Sequence, residues 1–372
     1  MKKYALLLAI SKVLLTVWHN GLFAKLRSKG VSGMLLKWLQ SYLHGRSIKV
    51  VLSGQSSDAS PINASVPQGS ILGPLLFSVF IDDLVDTCEN QLYLYADDST
   101  LFAPIRSVNE RASVVASLNR DLEKMRVWAA NWKVTFEPTK CKALMLSRKR
   151  MPTIPDLYFG STQLAVEREL CILGVTFDSK LLWSRHISDI SKKAGQRLGA
   201  LRKIANKLDT AGRATVYKAQ IRSIMEYACL SWMSASPTVL NQLDSIQQKA
   251  LRIIGVDQVT ACRELAITSL QHRREVAAVT VLYKMHTSHC PRDLQALLPN
   301  PYTSRRTTRA SSSMPDHAVA MPHAKTSTLD RTFLHSAIRI WNTLPDTVVG
   351  KIKSDSVQSF KQRVNKHMLF DG

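Results

Sequence analysis

The chain has 372 residues, 45% of them hydrophobic, with 50 Lys and Arg against 28 Asp and Glu and a formal net charge of +22. This composition is sufficient for packed cores in two or more modest domains, and the charge suits a polyanionic partner such as nucleic acid or an anionic membrane face. No apolar run reaches the length of a membrane span, and the six cysteines (Cys88, Cys141, Cys171, Cys229, Cys262, Cys290) form no Cys-x-x-Cys pair, which excludes a disulfide framework and fits reduced thiols.

Met1-Lys2-Lys3 followed by Tyr4 to Ile10 resembles the start of a secretory signal, but Ser11-Lys12 ends the apolar run and no small-x-small site follows. Residues 22–44 read as helical, with Leu22, Leu26, Leu35, Leu36, Leu39 and Leu43 as apolar positions and a break at Gly30-Val31-Ser32-Gly33. Ile48 to Leu52 reads as a strand. Residues 66–77, beginning Val66-Pro67-Gln68-Gly69, form a Pro/Gly-rich loop that runs into an apolar helix ending near Leu84. Gly69 and Gly73 permit close backbone approach to a ligand, and Gln68 adds a polar amide.

Leu92 to Phe102 reads as a hairpin with Asp97 and Asp98 at its tip. Two acids there are either an ordinary Asp-rich turn or ligands for divalent cations that drive phosphoryl transfer. Leu118, Leu122, Met125, Trp128 and Trp132 recur at helical spacing, and both tryptophans read as core. Residues 141–146 and 171–177 are strands, with a hairpin around Gly160-Ser161. Residues 186–290 read as entirely helical, with Ile187, Ile190, Ala194, Leu198, Leu201 and Leu208 as one stripe and Lys193 and Arg197 beside it. Basic groups at Arg148-Lys149-Arg150, Lys192-Lys193, Arg202-Lys203, Arg273-Arg274 and Arg305-Arg306 spread the charge. Residues 301–328 are rich in Ser, Thr, Arg and Pro and read as a flexible basic linker. A short segment over 329–372 follows, with Phe333, Ile338, Trp341 and Phe360 as anchors.

Taken together, the Pro67-Gln68-Gly69 loop and Tyr95-Ala96-Asp97-Asp98, in that order, resemble the reverse transcriptases of non-LTR (LINE-type) retrotransposons, most like the jockey-like group. Further matches are Trp38, Ser41-Tyr42-Leu43 and Gly45-Arg46; Trp128, Asn131-Trp132 and Lys140-Cys141; Leu173-Gly174-Val175 with Phe177-Asp178; and Trp183 with His186-Ile187. Glu226-Tyr227-Ala228 and Trp341-Asn342-Thr343-Leu344-Pro345 resemble the family's C-terminal region, and the latter favours the LINE type over group II intron and telomerase enzymes.

The resemblance implies an α+β fold: a polymerase-type palm, an antiparallel sheet with helices on one face, followed by an all-helical thumb. It implies a partial palm over 1–178 with Tyr4 to Ile10 as its first strand, and a thumb over 179–300. Asp97 is then the principal ligand of a two-Mg²⁺ site and Asp98 an auxiliary one. Pro67, Gln68 and Gly69 shape the template and nucleotide pocket. Leu173 and Gly174 belong to the primer grip, and Lys140 is a candidate general acid for pyrophosphate. The implied partners are an RNA template, a DNA primer and dNTPs, in an intracellular setting, with no stable membrane association and no defined protein partner.

Four positions depart from the family pattern. Its first motif reads roughly Leu-Asp-x-Ser-Lys-Ala-Phe-Asp, and this chain carries Ala9 and Leu15 where the two aspartates belong. Ser65 stands for the usual Gly and Glu137 for the usual Asn. Met1 comes only eight residues before the damaged position, so fingers segments are expected to be missing. A methyl group cannot coordinate Mg²⁺, so little or no polymerase activity is expected. The alternatives are a non-catalytic nucleic-acid-binding protein or a decayed remnant of such an element. His286, His289 and Cys290 cluster but lack the paired cysteines of a zinc knuckle.

Overall fold

The computed structural model describes residues 4–10, 17–147, 154–303, 314–350 and 355–370. Leu15, Arg148-Lys149-Arg150 and Arg305-Arg306 lie outside them. The chain divides into two compact units, Met1–Lys180 and Leu181–Gly372.

The first unit is built on strands β1 (Tyr4–Ile10), β2 (Gln91–Tyr95), β3 (Asp98–Ile105), β4 (Lys142–Leu146) and β5 (Ala165–Glu167), in the order β5-β4-β1-β3-β2. All neighbours are antiparallel except β5, which runs parallel to β4, so the sheet is mixed where the sequence suggested a purely antiparallel one. Alternation along β3 separates the faces. Ser99, Leu101, Ala103 and Ile105 are buried, while Asp98, Thr100 and Phe102 are half-buried on the other side.

The buried face packs under α1 (His19–Ser28), α3 (Leu72–Ile81) and α4 (Arg111–Trp132), where Leu8, Leu22, Phe80, Leu101, Leu118 and Leu122 share one core. Between them, α2 (Gly33–Leu43) adds Leu36, Leu39 and Leu43. The helical break expected near Gly30 is present, since α1 stops at Ser28 and α2 starts at Gly33. The other face is covered near β4 by a hairpin of β6 (Glu169–Ile172) and β7 (Val175–Asp178), through Leu170 on Leu144.

Ile48 to Leu52 is not one strand. Ser47–Ile48 pairs with Ser60–Pro61, and Val51–Leu52 pairs with Gln55–Ser56 across a tight turn. Ile48, Val50, Val51 and Leu52 are all exposed, so their apolar character does not reflect burial in a core.

The second unit is helical. α5 (Ser184–Ile204) packs on α6 (Pro237–Ile254), and α7 (Leu270–His286) packs on α8 (Phe333–Trp341) and α9 (Val357–Phe370). Ser236 accepts the Val239 N–H at the start of α6, Pro237 fills its first position, and Gly255 (φ +88°) ends it. The expected stripe on α5 is buried through Leu201, but the helix ends at Ile204 and leaves half-buried Leu208 outside it. Turns and loops around 233–236, 255–257 and 266–269 interrupt the region, so it is not helical throughout, and Tyr217–Arg222 is a π-helical stretch within it.

The stretch read as a flexible linker is partly built into the core, and the expected anchors of the C-terminal segment pack on the helical unit. Ala318 and Val319, inside the stretch read as flexible, are 3% and 2% exposed. Ile338, Trp341 and Phe360 are fully buried in the same core as Val279, Leu282 and Tyr283 of α7. The physical reason is Asn342, whose side chain accepts the Val319 N–H at 3.0 Å and donates to the Val319 carbonyl at 2.9 Å. Trp341 Nε1 donates to the His317 carbonyl at 2.9 Å. These bonds draw polar backbone into the core fully paired.

Candidate active site on the acidic hairpin

Tyr95 pairs with Asp98, so Ala96 and Asp97 form the two-residue turn joining β2 to β3. Ala96 has φ +50°, the left-handed region that a tight hairpin turn demands and that a side chain with Cβ resists. The backbone therefore holds Asp97 and Asp98 at the tip, both half-buried. Burial raises the Asp98 pKa above its ordinary 3.8, and the neighbouring Asp97 charge adds to the rise. Beneath the tip, the Ser99 Oγ is buried without a hydrogen-bond partner among the described residues.

β1 lies beside this hairpin at the centre of the sheet, with Ala9 opposite Thr100 on one side and Lys142 on the other. The end of β1 and the starts of β3 and β4 thus lie at one end of the sheet. Lys140, exposed in the 3-10 turn Pro138–Lys140 just before β4, belongs to the same end. Among the described residues no group of three or more His, Cys, Asp and Glu side chains could hold a metal ion. Asp97 and Asp98 supply hard oxygen donors of the kind Mg²⁺ takes, and alanine at position 9 supplies none. The donors present do not complete a two-metal site.

The Pro67-Gln68-Gly69 loop is tied to the chain just after β1. Ser65 N–H donates to the Val17 carbonyl at 2.8 Å, and the His19 ring lies 2.7 Å from the Ser65 carbonyl. Ser70 Oγ donates to the Pro67 carbonyl at 2.7 Å and accepts the Gly73 N–H at 2.9 Å, which closes the loop onto α3. A Cβ on Gly73 would meet the Pro67 carbonyl at 2.8 Å, so that contact requires glycine. Gln68 and Gly69 are exposed at the loop's crest. Leu173 and Gly174 form the β6–β7 turn with φ +48° and +79°.

Sequence reasoning missed two buried polar centres that position these parts. Asp121 of α4 is fully buried and accepts the backbone N–H groups of Glu89 and Asn90 at 2.8 and 2.9 Å and the Asn90 side chain at 2.7 Å. It thereby fixes the entry to β2 from below. Lys25 of α1 donates to the Phe80 carbonyl at 2.6 Å and Asp83 at 2.5 Å, with its ammonium 3.7 Å from the Trp132 ring centre. Burial lowers the Lys25 pKa, and the bond to Asp83 opposes that shift. Trp128 Nε1 donates to the same Asp83 oxygen at 3.0 Å. Both centres were signalled by a charge on an apolar stripe: Asp121 lies three residues from Leu118, and Lys25 three from Leu22.

Residues 1–177 match the family model described as reverse transcriptase (RNA-dependent DNA polymerase). The chain is 29% identical over 267 residues to the RNA-directed DNA polymerase from mobile element jockey of Drosophila melanogaster, covering 68% of this chain and 29% of that protein. It is 29% identical over 250 residues to the jockey counterpart of Drosophila funebris, covering 64% of this chain and 27% of the relative. A transposon X-element protein of Drosophila melanogaster is 26% identical over 277 residues, 72% of this chain and 29% of its own. The chain therefore spans less than a third of the length of these relatives.

Proposed function

We propose that this chain, similar to the LINE-type reverse transcriptases over its first 177 residues and beyond, is the palm and thumb portion of an RNA-directed DNA polymerase whose chemistry is impaired in this copy. The observation that carries the reading is the register of β1, which sets Ala9 rather than a carboxylate beside the hairpin that presents Asp97 and Asp98. In this reading the first unit is the palm, the helical second unit the thumb, and Asp97 the principal surviving Mg²⁺ ligand, with Asp98 auxiliary. Pro67, Gln68 and Gly69 face the template and nucleotide, Leu173 and Gly174 the primer, and Lys140 the leaving pyrophosphate. RNA template, DNA primer and dNTP are the ligands, inside the cell. No helix among the described residues is long and apolar enough to cross a membrane.

A second reading, a non-catalytic nucleic-acid binder, is supported by the net charge of +22. Primer extension on an RNA template with Mg²⁺, run beside RNA binding at near-physiological salt, tests both. The unmodified chain is expected to bind RNA and give no extension. Ala9→Asp/Leu15→Asp is expected to raise extension by about 100-fold or more, the scale of one transition-state-stabilising group. Asp97→Asn should abolish that gain. Extension by the unmodified chain that is lost on Asp97→Asn would overturn the impairment.

A further inference from the structure

The second unit contains a cavity of about 300 Å³ with no part in the polymerase site. Met233, Leu240 and Ile340 give it an apolar wall, and Asp244, Arg274 and Arg331 give it charge. Arg274 is the unusual member. Its neighbour Arg273 grips Glu226 with two hydrogen bonds, one at 2.9 Å. Arg274 is only 6% exposed and makes no hydrogen bond or close ion pair among the described residues, and its Nη1 is fully buried without a partner. Asp244 attracts it without reaching ion-pair distance.

The other charges around the cavity are occupied or weakly held. Arg339 is tied to Asp330 at 2.7 Å, and Glu275 accepts from Gln271 at 2.9 Å. Among the described residues Arg331 reaches only the Ser234 carbonyl, at 3.5 Å. Two guanidinium groups that line one cavity therefore retain donors not taken up by the described residues. A buried guanidinium without partners is costly, and a planar fork of N–H donors matches the oxygens of a phosphate.

We propose that this cavity binds the phosphate group of a nucleotide, with Arg274 as its buried anchor, Arg331 as a second donor, and the Met233–Leu240–Ile340 wall against the ribose or base. The volume is at the lower end of the range of small-molecule pockets. Asp244 supplies an acceptor that a ribose hydroxyl or a base amino group would meet. The proposal is independent of the polymerase reading, because a chain that extends no primer can still be assayed for nucleotide binding.

The test uses the full chain and follows thermal unfolding and calorimetric titration with AMP, adenosine, inorganic phosphate and a short RNA with or without a 5′-phosphate. AMP is expected to raise the melting temperature and adenosine to leave it unchanged. Arg274→Met should weaken AMP binding by about tenfold or more while raising the melting temperature of the ligand-free protein, since a buried uncompensated charge is removed. Arg331→Ala should weaken binding with Arg274 left in place. Tighter binding of the 5′-phosphorylated RNA than of AMP would identify a strand end as the source of the phosphate, and equal binding a free nucleotide. Equal responses to AMP and adenosine would overturn the proposal. So would unchanged AMP binding by Arg274→Met, or a loss of ligand-free stability in both Arg274→Met and Asp244→Asn, the signature of a water-bridged structural ion pair.

Discussion

At Asp98 the demands of a site and of stability oppose each other. Its folded pKa is raised by burial and by the Asp97 charge. Below the ordinary value of 3.8 the carboxyl is protonated in both folded and unfolded chains and contributes no penalty. As pH rises through the folded value, the folded chain must ionise a half-buried group beside another carboxylate, and stability falls. Asp98→Asn is therefore expected to raise the melting temperature at pH 7, with the gain vanishing below pH 3.8. A gain of equal size at both pH values would show that the Asp98 charge is not the cause. Ala9 stands at the opposite extreme, because its ladder pairing needs only backbone groups and tolerates any side chain that suits a strand.

At the scale of elements, local chemistry was legible wherever a turn or loop depends on particular residues. The hairpin tip at Asp97, the loop at Pro67-Gln68-Gly69 and the break near Gly30 lie where the sequence puts them. Less legible were elements whose role is decided by distant partners. Val51 and Leu52 look like a core strand but are exposed, and Val319 looks like linker but is buried. Lys25, Asp83 and Trp128 come from three separate elements, and no local pattern joins them. The clamp on Val319 gives Asn342 a measurable weight. Asn342→Ala should cost about 1–3 kcal/mol in chemical denaturation, the sum of two lost hydrogen bonds, and should speed amide exchange at Val319. Unchanged exchange there would mean that Trp341 alone holds the segment.

Across the whole molecule, each unit has its own buried core: Leu8, Leu101 and Leu122 in the first, Tyr283, Trp341 and Phe360 in the second. The net charge of +22 belongs to this scale, since no single basic pair accounts for it. RNA affinity should therefore fall by about tenfold or more between 50 and 200 mM salt, as phosphate contacts release counterions. A salt-independent affinity would rule out the charge as the source of binding.

Asp121 grips Glu89 and Asn90 from beneath the sheet, so the ribbon that carries the acidic tip takes its position from α4 as well as from backbone pairing with the strand that holds Ala9. Form and chemistry are thus mortgaged to different residues. The bonds that β1 makes with its neighbours are backbone bonds, so the side chain at position 9 can change while the frame around the acidic tip stays in place. A carboxylate introduced there would act on a frame already in place.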